Sequence, residues 1–234
     1  MANKTIAIVG AGPGLGVSVA KRFGREGFRA ALVSRKREKL DALVAELKSS
    51  GVTAEAFVAD VTDEASIKKA FQAINERFGA VDVLEYSPIN IPTDPADFAP
   101  LEVTALTPAN ARKNVEIMAL GAVASVQQVL PAMLERGSGA IFITTGIAAK
   151  GFLPMVGAWG LAGSAARNYA RTLNVALRDK GVFAASVCLG VQIQKGDQFG
   201  DPDQLADKYY ALYRDRDRSE LFINHTPPGM VEFD

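Results

Sequence analysis

"TIAIVGAGPGLGVSVAKRFG", residues 5–24, begins as an apolar run, breaks into glycines and resumes with apolar residues at helical spacing. Gly10, Gly14 and Gly16 fall between the expected first strand and first helix. Glycine permits the tight turn and leaves backbone close to whatever binds there. The first N–H groups of the helix, at the positive end of its dipole, then face outward and can hold a phosphate. A glycine triplet alone is a weak signal. Placed after a strand and before an amphipathic helix, it points to dinucleotide binding; the bland alternative is a packing turn.

The rest of the chain repeats that alternation. Strand-like runs occur at 5–10, 29–34, 53–60, 81–86, 139–145 and 182–189. Between them, Leu40, Leu43, Val44 and Leu47 share one helix face, as do Ile67, Phe71, Ile74 and Phe78. Strands alternating with helices predict β-α-β units and a mainly parallel, doubly wound α/β sheet covered on both faces. With 234 residues and no internal repeat, residues 1–234 are expected to form one domain. The stretch 87–108 carries five of the eleven prolines and predicts an irregular loop, either a surface excursion or a wall over the site.

Composition narrows the function classes. The formal net charge is zero, which implies no general attraction to nucleic acid or membrane. No secretory signal is expected, and no apolar run approaches the roughly 20 residues of a membrane span. Cys188 is the only cysteine, which fits a reducing cytoplasm. A metal site is not expected, because His225 is the only histidine and no cysteine pair exists. His225 is expected to be structural or exposed. No serine lies in a G-x-S-x-G turn.

The second strand-like run ends "LVSRKR". An NAD site usually places an acidic residue there for the ribose 2′-hydroxyl. Ser34 removes the repulsion to a 2′-phosphate, and the Arg35 guanidinium can grip one. NADP(H) is therefore expected in preference to NAD(H), which stays possible. Part of the Arg35, Lys36 and Arg37 charge belongs to a solvated helix start.

Taken together, the chain resembles a short-chain dehydrogenase/reductase over nearly its whole length. The resemblance rests on the spacing Gly10-x-x-x-Gly14-Leu15-Gly16, on "ADVTDEAS" (59–66), "FGAVDVL" (78–84), "VLPAML" (129–134), "GAIFIT" and "SVCLGV". It implies a seven-stranded Rossmann-type sheet, cofactor contacts at Gly10, Gly14, Leu15, Gly16, Ser34, Arg35, Asp60 and Val61, and a homodimer or homotetramer formed through helices near 110–135 and 155–180.

The resemblance stops at the chemistry. The family's catalytic asparagine, serine, tyrosine and lysine places hold Met118, Gly146, Trp159 and Gly163. This resembles a divergent branch with an incomplete tetrad, whose carboxyl end is similar to "SELFINHTPPG" (219–229). A phenol needs a nearby cation to bring its pKa of about 10 toward operating pH. Indole cannot release a proton near neutrality, and glycine has none to donate. Tyr86, Thr144, Thr145 and Lys150 are candidate replacements, each with a duller structural reading. Trp159 is expected to fill the phenol's place as a wall beside the nicotinamide pocket. Two functions stay open: an atypical NADP(H)-dependent oxidoreductase with a displaced or water-borne proton source, or a catalytically silent protein that senses NADP(H) or acts through oligomerisation.

Overall fold

The computed structural model describes residues 4–89, 91, 99–226 and 231–233. Parts of the proline-rich stretch (90 and 92–98) and of the carboxyl-terminal motif (227–229) lie outside the described residues.

Seven strands form one sheet: β1 (Thr5–Val9), β2 (Arg29–Ser34), β3 (Ala54–Val58), β4 (Val83–Tyr86), β5 (Gly139–Gly146), β6 (Val182–Gly190) and β7 (Glu220–Asn224). Their order is β3-β2-β1-β4-β5-β6-β7, and every pair is parallel. The helices are α1 (Leu15–Gly24), α2 (Arg37–Ser49), α3 (Glu64–Phe78), α4 (Pro108–Val115), α5 (Gly121–Glu135), α6 (Gly157–Leu177) and α7 (Pro202–Asp215). Helices α1, α2 and α7 cover one face, while α3, α5 and α6 cover the other.

Successive strand residues point to opposite faces, so both sides must be apolar. Ile6, Ile8, Leu32 and Phe142 enter the first core; Ala7, Val9, Leu84, Ile141 and Ile143 enter the second. The helix faces read from periodicity are buried: Leu40, Leu43, Val44 and Leu47 from α2, and Ile67, Phe71, Ile74 and Phe78 from α3. Each such large side chain contributes about 1.5–3 kcal/mol of burial. Helix α6 lies close to the sheet because Ala158, Ala162, Ala166 and Ala170, spaced by four, form its buried face.

The seventh strand was not among the strand-like runs of the sequence. It pairs only with β6, and Ile223 alone among its residues is fully buried. Such an edge strand carries no two-sided apolar pattern.

After the proline-rich stretch, α4 starts where Thr107 and Asn110 cap one another, with Pro108 at the first helical position. A turn of π-helix, Glu116–Leu120, joins α4 to α5 and makes one continuous helix over Pro108–Glu135. That helix is long and apolar enough to cross a bilayer by length and composition, but half of its most apolar window is buried against the fold.

The chain runs β1 to β3 in one direction, then returns to place β4 beside β1. The crevice between them is the switch point where open α/β sheets bind ligands. Gly10 closes it with φ +89°, and a Cβ there would sit 2.6 Å from the backbone nitrogen of Pro88. Gly10→Ala should therefore cost about 1–3 kcal/mol through backbone strain and overpacking. Urea unfolding measures this; a loss under half a kilocalorie would mean the Pro88 turn yields freely.

Candidate functional site

The carboxyl ends of the strands carry a cleft in two adjoining parts. One part, of about 150 Å³, is lined by Gly10, Ser34, Arg35, Asp60 and Val61 together with Ser87 and Ile117. The other, of about 370 Å³, is lined by the turn from Gly10 to Gly16, by Ser87, Pro88, Ile89 and Ile91, and by Met118, Thr144, Thr145, Gly146, Leu189, Val191 and Ile193. The two share Gly10, Ser87, Pro88 and Ile89. All eight cofactor residues expected from the sequence thus border one or other part of this groove.

Local chemistry explains each position. Helix α1 begins after Gly14 with no side-chain cap and no acidic residue in its first turn, which keeps its positive end facing the groove. A Cβ on Gly14 would meet only Ile193, at 3.4 Å, so Gly14 borders space that is open toward the groove. Gly16 instead serves packing, since a Cβ there would lie 3.2 Å from Ala11 Cα. Arg37 is held along its own helix by Asp41, at 2.9 and 3.0 Å, whereas Arg35 borders the groove. Asp60 accepts from the N–H and hydroxyl of Thr62, at 2.9 and 2.8 Å. These bonds, helped by the nearby Arg35 charge, hold its carboxyl below the ordinary range.

The four places of the family tetrad separate. Met118 and Gly146 line the groove. Trp159 does not border it; its ring packs with Ile117, Met118 and Ala162. The expected indole wall is therefore a layer behind Met118, which makes the wall itself. Gly163 faces the loop after β5, where a Cβ would meet Ala149 Cβ at 3.0 Å and the Met118 methyl at 3.5 Å. A Cβ on Gly146 meets nothing within 4 Å. The place that the resemblance gives to the lysine is packed over, while the one it gives to the serine is open.

The candidate replacements sort as clearly. Tyr86 is 1% exposed and donates its hydroxyl proton to the Ile117 carbonyl, and burial pushes its pKa up. It ties β4 to the π-helical turn, where such irregular turns often bound functional sites. Lys150 pairs with Glu220 at 3.4 Å and lies over the Phe222 ring. His225 is exposed and stacks on Phe199 with 3.7 Å between ring centres. Cys188 is buried, which raises its thiol to about 11. Thr145 turns into the core at 4% exposure. Thr144 points to the opposite face and leads to a residue the sequence reading passed over.

That residue is Glu85, on β4, fully buried. Thr144 Oγ1 donates to its Oε1 at 2.8 Å and Ser87 Oγ donates to its Oε2 at 2.9 Å. Tyr209 from α7 lies 2.7 Å from Thr144 Oγ1. Burial raises the Glu85 carboxyl to about 7 against those two hydrogen bonds, which favour the charged form. The sequence carried one signal: a carboxylate inside "VDVLEY", a run that two-sided burial requires to be apolar.

Residues 4–194 match the family profile described as short chain dehydrogenase. A serine 3-dehydrogenase of Rhizobium radiobacter is 32% identical over 188 residues, covering 78% of this chain and 70% of that protein. The oxidoreductase asL5 of Sarocladium schorii is 28% identical over 183 residues, covering 78% and 69%. Among solved structures, a metagenomic short-chain oxidoreductase in complex with NADP superposes with a TM-score of 0.82 at 21% identity, covering 97% of this chain and 98% of that one. A variant actinorhodin polyketide ketoreductase with NADPH gives 0.80 at 23% identity, with 98% of each covered.

Two outcomes follow from this geometry. An unfolded Glu85 ionises near 4.5 and the folded one near 7, so the folded state binds the extra proton between those values and loses stability as pH rises through them. Glu85→Gln removes that dependence. Its stability relative to the unmodified chain should improve by about 3 kcal/mol from below pH 4.5 to above pH 7, read by denaturant unfolding. A pH-independent difference would show that folding leaves the Glu85 pKa unshifted. Separately, Gly146→Ser should shift stability by no more than about 0.5 kcal/mol. Gly163→Lys should cost about 1–3 kcal/mol by overpacking. Equal thermal shifts for the two would contradict the packing at Ala149.

Proposed function

This chain belongs to the short-chain dehydrogenase family, and from that premise we propose that it is an NADP(H)-dependent oxidoreductase whose proton source is not the family's tyrosine. The observation that carries the cofactor assignment is the groove itself. Its two parts, which share Gly10, Ser87, Pro88 and Ile89, extend from Ser34 and Arg35, past the glycine turn, to Gly146. The NADP and NADPH held by the two solved neighbours support the same choice.

The residues fit such a group part by part. Gly10, Gly14 and the uncapped end of α1 offer backbone room and N–H groups for a pyrophosphate. Arg35 stands where a 2′-phosphate would need a forked donor, and Ser34 brings no opposing charge. Ile89, Ile91, Met118, Leu189, Val191 and Ile193 make the far end apolar, which suits a flat, weakly polar acceptor. When bound, a reduced nicotinamide supplies a hydride at that end. The chain's part is to hold it there, to exclude water with those apolar side chains, and to furnish a proton.

With Met118, Gly146, Trp159 and Gly163 in the tetrad places, the family's usual route is closed to it. A positioned acid–base group is typically worth about 10²–10⁴ in rate, so a working enzyme of this sequence requires a substitute. The competing reading, a silent NADP(H) sensor, differs in one measurable respect: it binds without turnover.

Calorimetric titration tests the cofactor assignment. NADPH should bind more tightly than NADH, and Arg35→Ala should erase most of the preference, at about 1.5–3 kcal/mol for a charged hydrogen-bonded contact. Gly14→Val should abolish binding while circular dichroism stays native, because the branched side chain occupies the pyrophosphate's space. Equal affinity for the two cofactors, or binding retained in Gly14→Val, would refute the assignment.

A further inference from the structure

Hydride chemistry in this groove needs a proton, and few side chains lining it can give one. In its apolar part the described lining residues that carry a hydroxyl are Ser87, Thr144 and Thr145, and none of those lining residues carries an ionisable acid or base. Of the three, Ser87 and Thr144 are joined to an ionisable group, the buried Glu85. Building on the NADP(H) reading above, we propose that Glu85, Ser87 and Thr144 form the proton-delivery site of the groove: the Ser87 hydroxyl gives its proton to a substrate carbonyl oxygen, and the Glu85 carboxyl replaces it.

Hydrogen-bond directions support the arrangement. Both hydroxyls donate to Glu85, the pattern expected of its carboxylate. Because Thr144 has spent its only proton on Oε1, Tyr209 must donate to Thr144. When Glu85 is protonated it becomes the donor. Thr144 is already held from the core side by Tyr209, so the free partner is Ser87. Its own proton then turns away from Glu85. Ser87 is half-buried and borders both parts of the groove. The proton it releases therefore faces the place where a substrate oxygen would lie.

The step balances. The substrate carbon gains a C–H bond from the hydride of a reduced nicotinamide dinucleotide, which leaves oxidised, and the carbonyl π pair moves to oxygen. The Ser87 O–H bond breaks as the product O–H forms. The Glu85 O–H bond breaks as Ser87 regains its proton. Glu85 ends as a carboxylate held by two hydroxyls and recovers a proton from water through Ser87 once product leaves.

The surroundings suit a group that changes charge near neutrality. In the sheet Ile8 and Phe142 flank Glu85 in register. Facing it are Thr144 from β5, Ser87 from the end of its own strand, and Tyr209 from α7 behind Thr144. Tyr209 is pushed well above its ordinary value by burial, and Cys188 on β6, which bears on Tyr209, is raised to about 11. Neither ionises before Glu85. A carboxyl at about 7 is matched to proton transfer at cellular pH. Glu85 acts through Ser87, so it is a positioning and proton-storing residue; Ser87 is the catalytic one.

Three readouts on the full chain test this. Infrared difference spectra of the cofactor-free protein should show a protonated-carboxyl band that halves near pH 7 and is missing from Glu85→Gln. Calorimetry should give NADPH affinities within threefold of one another for the unmodified chain, Glu85→Gln and Ser87→Ala. With NADPH and isatin, a flat aromatic dicarbonyl, Ser87→Ala and Glu85→Gln should each lower turnover by about 10²–10⁴-fold. Ser87→Thr, which keeps the hydroxyl, should retain most of it. Ser87→Ala removes one hydroxyl at the groove edge, so it reports even where Glu85→Gln folds poorly. A chain that does not bind NADPH overturns the cofactor reading and the relay together. NADPH binding overturns the relay alone when it is accompanied by a carboxyl ionised throughout, by no turnover of isatin, or by turnover that survives Ser87→Ala.

Discussion

Two turns meet at the crevice between β1 and β4, and the groove depends on how closely they approach. Gly10 and Ala11 donate their N–H groups to the Val33 carbonyl at 2.9 and 3.2 Å, and Ser87 donates to the Val9 carbonyl at 2.9 Å. These bonds continue the sheet's ladders one step past the strands. They bring Pro88 against the Cα of Gly10, a contact no side chain would allow. From that point the glycine turn leads into α1, and Ser87 to Ile91 runs out as the opposite wall. The strand order sets this meeting, because the chain returns from β3 to place β4 beside β1.

Given that crevice, a buried carboxyl at its base needs a physical account. Glu85 sits where strand alternation calls for an apolar side chain in the first core. A buried charge without partners is costly, and two hydroxyl donors with no cation only partly offset it. The pocket therefore stores a proton near neutrality at some cost in stability. Such conflicts between local pattern and packing concentrate at functional sites. Here the conflict lies beside an apolar groove whose described lining residues carry no ionisable group at its far end.

The four places that the resemblance gives to the tetrad are not equivalent either. Gly163 lets Ala149 and Met118 close over the lysine's position, and Trp159 adds its ring behind Met118. Gly146 leaves its position open to the groove. Gly163 and Trp159 thus belong to packed core, while Gly146 borders the groove. Tyr86, standing one residue past Glu85, has become a strut whose hydroxyl is used up by the Ile117 carbonyl.

The amino-acid sequence by itself determined the α/β architecture, the glycine turn and the helix faces, because strand alternation, 3.6-residue periodicity and glycine's freedom act within a few residues of each other. Residue identity also fixed what stands at the places the resemblance gives to the tetrad: Met118, Gly146, Trp159 and Gly163. The Ser34–Arg35 pair was legible for the same reason: it sits at a fixed distance past the glycines. Only the tertiary structure decided that Trp159 lies behind Met118, that Tyr86 is a strut, and that β7 completes the sheet. It alone joined Glu85 to Thr144, 59 residues apart in the chain. In register Glu85 faces Phe142, so Thr144, two residues further along β5, falls on the same face within reach of the carboxyl. No local rule carries that information, because the partner of a buried polar group is set by how distant strands align.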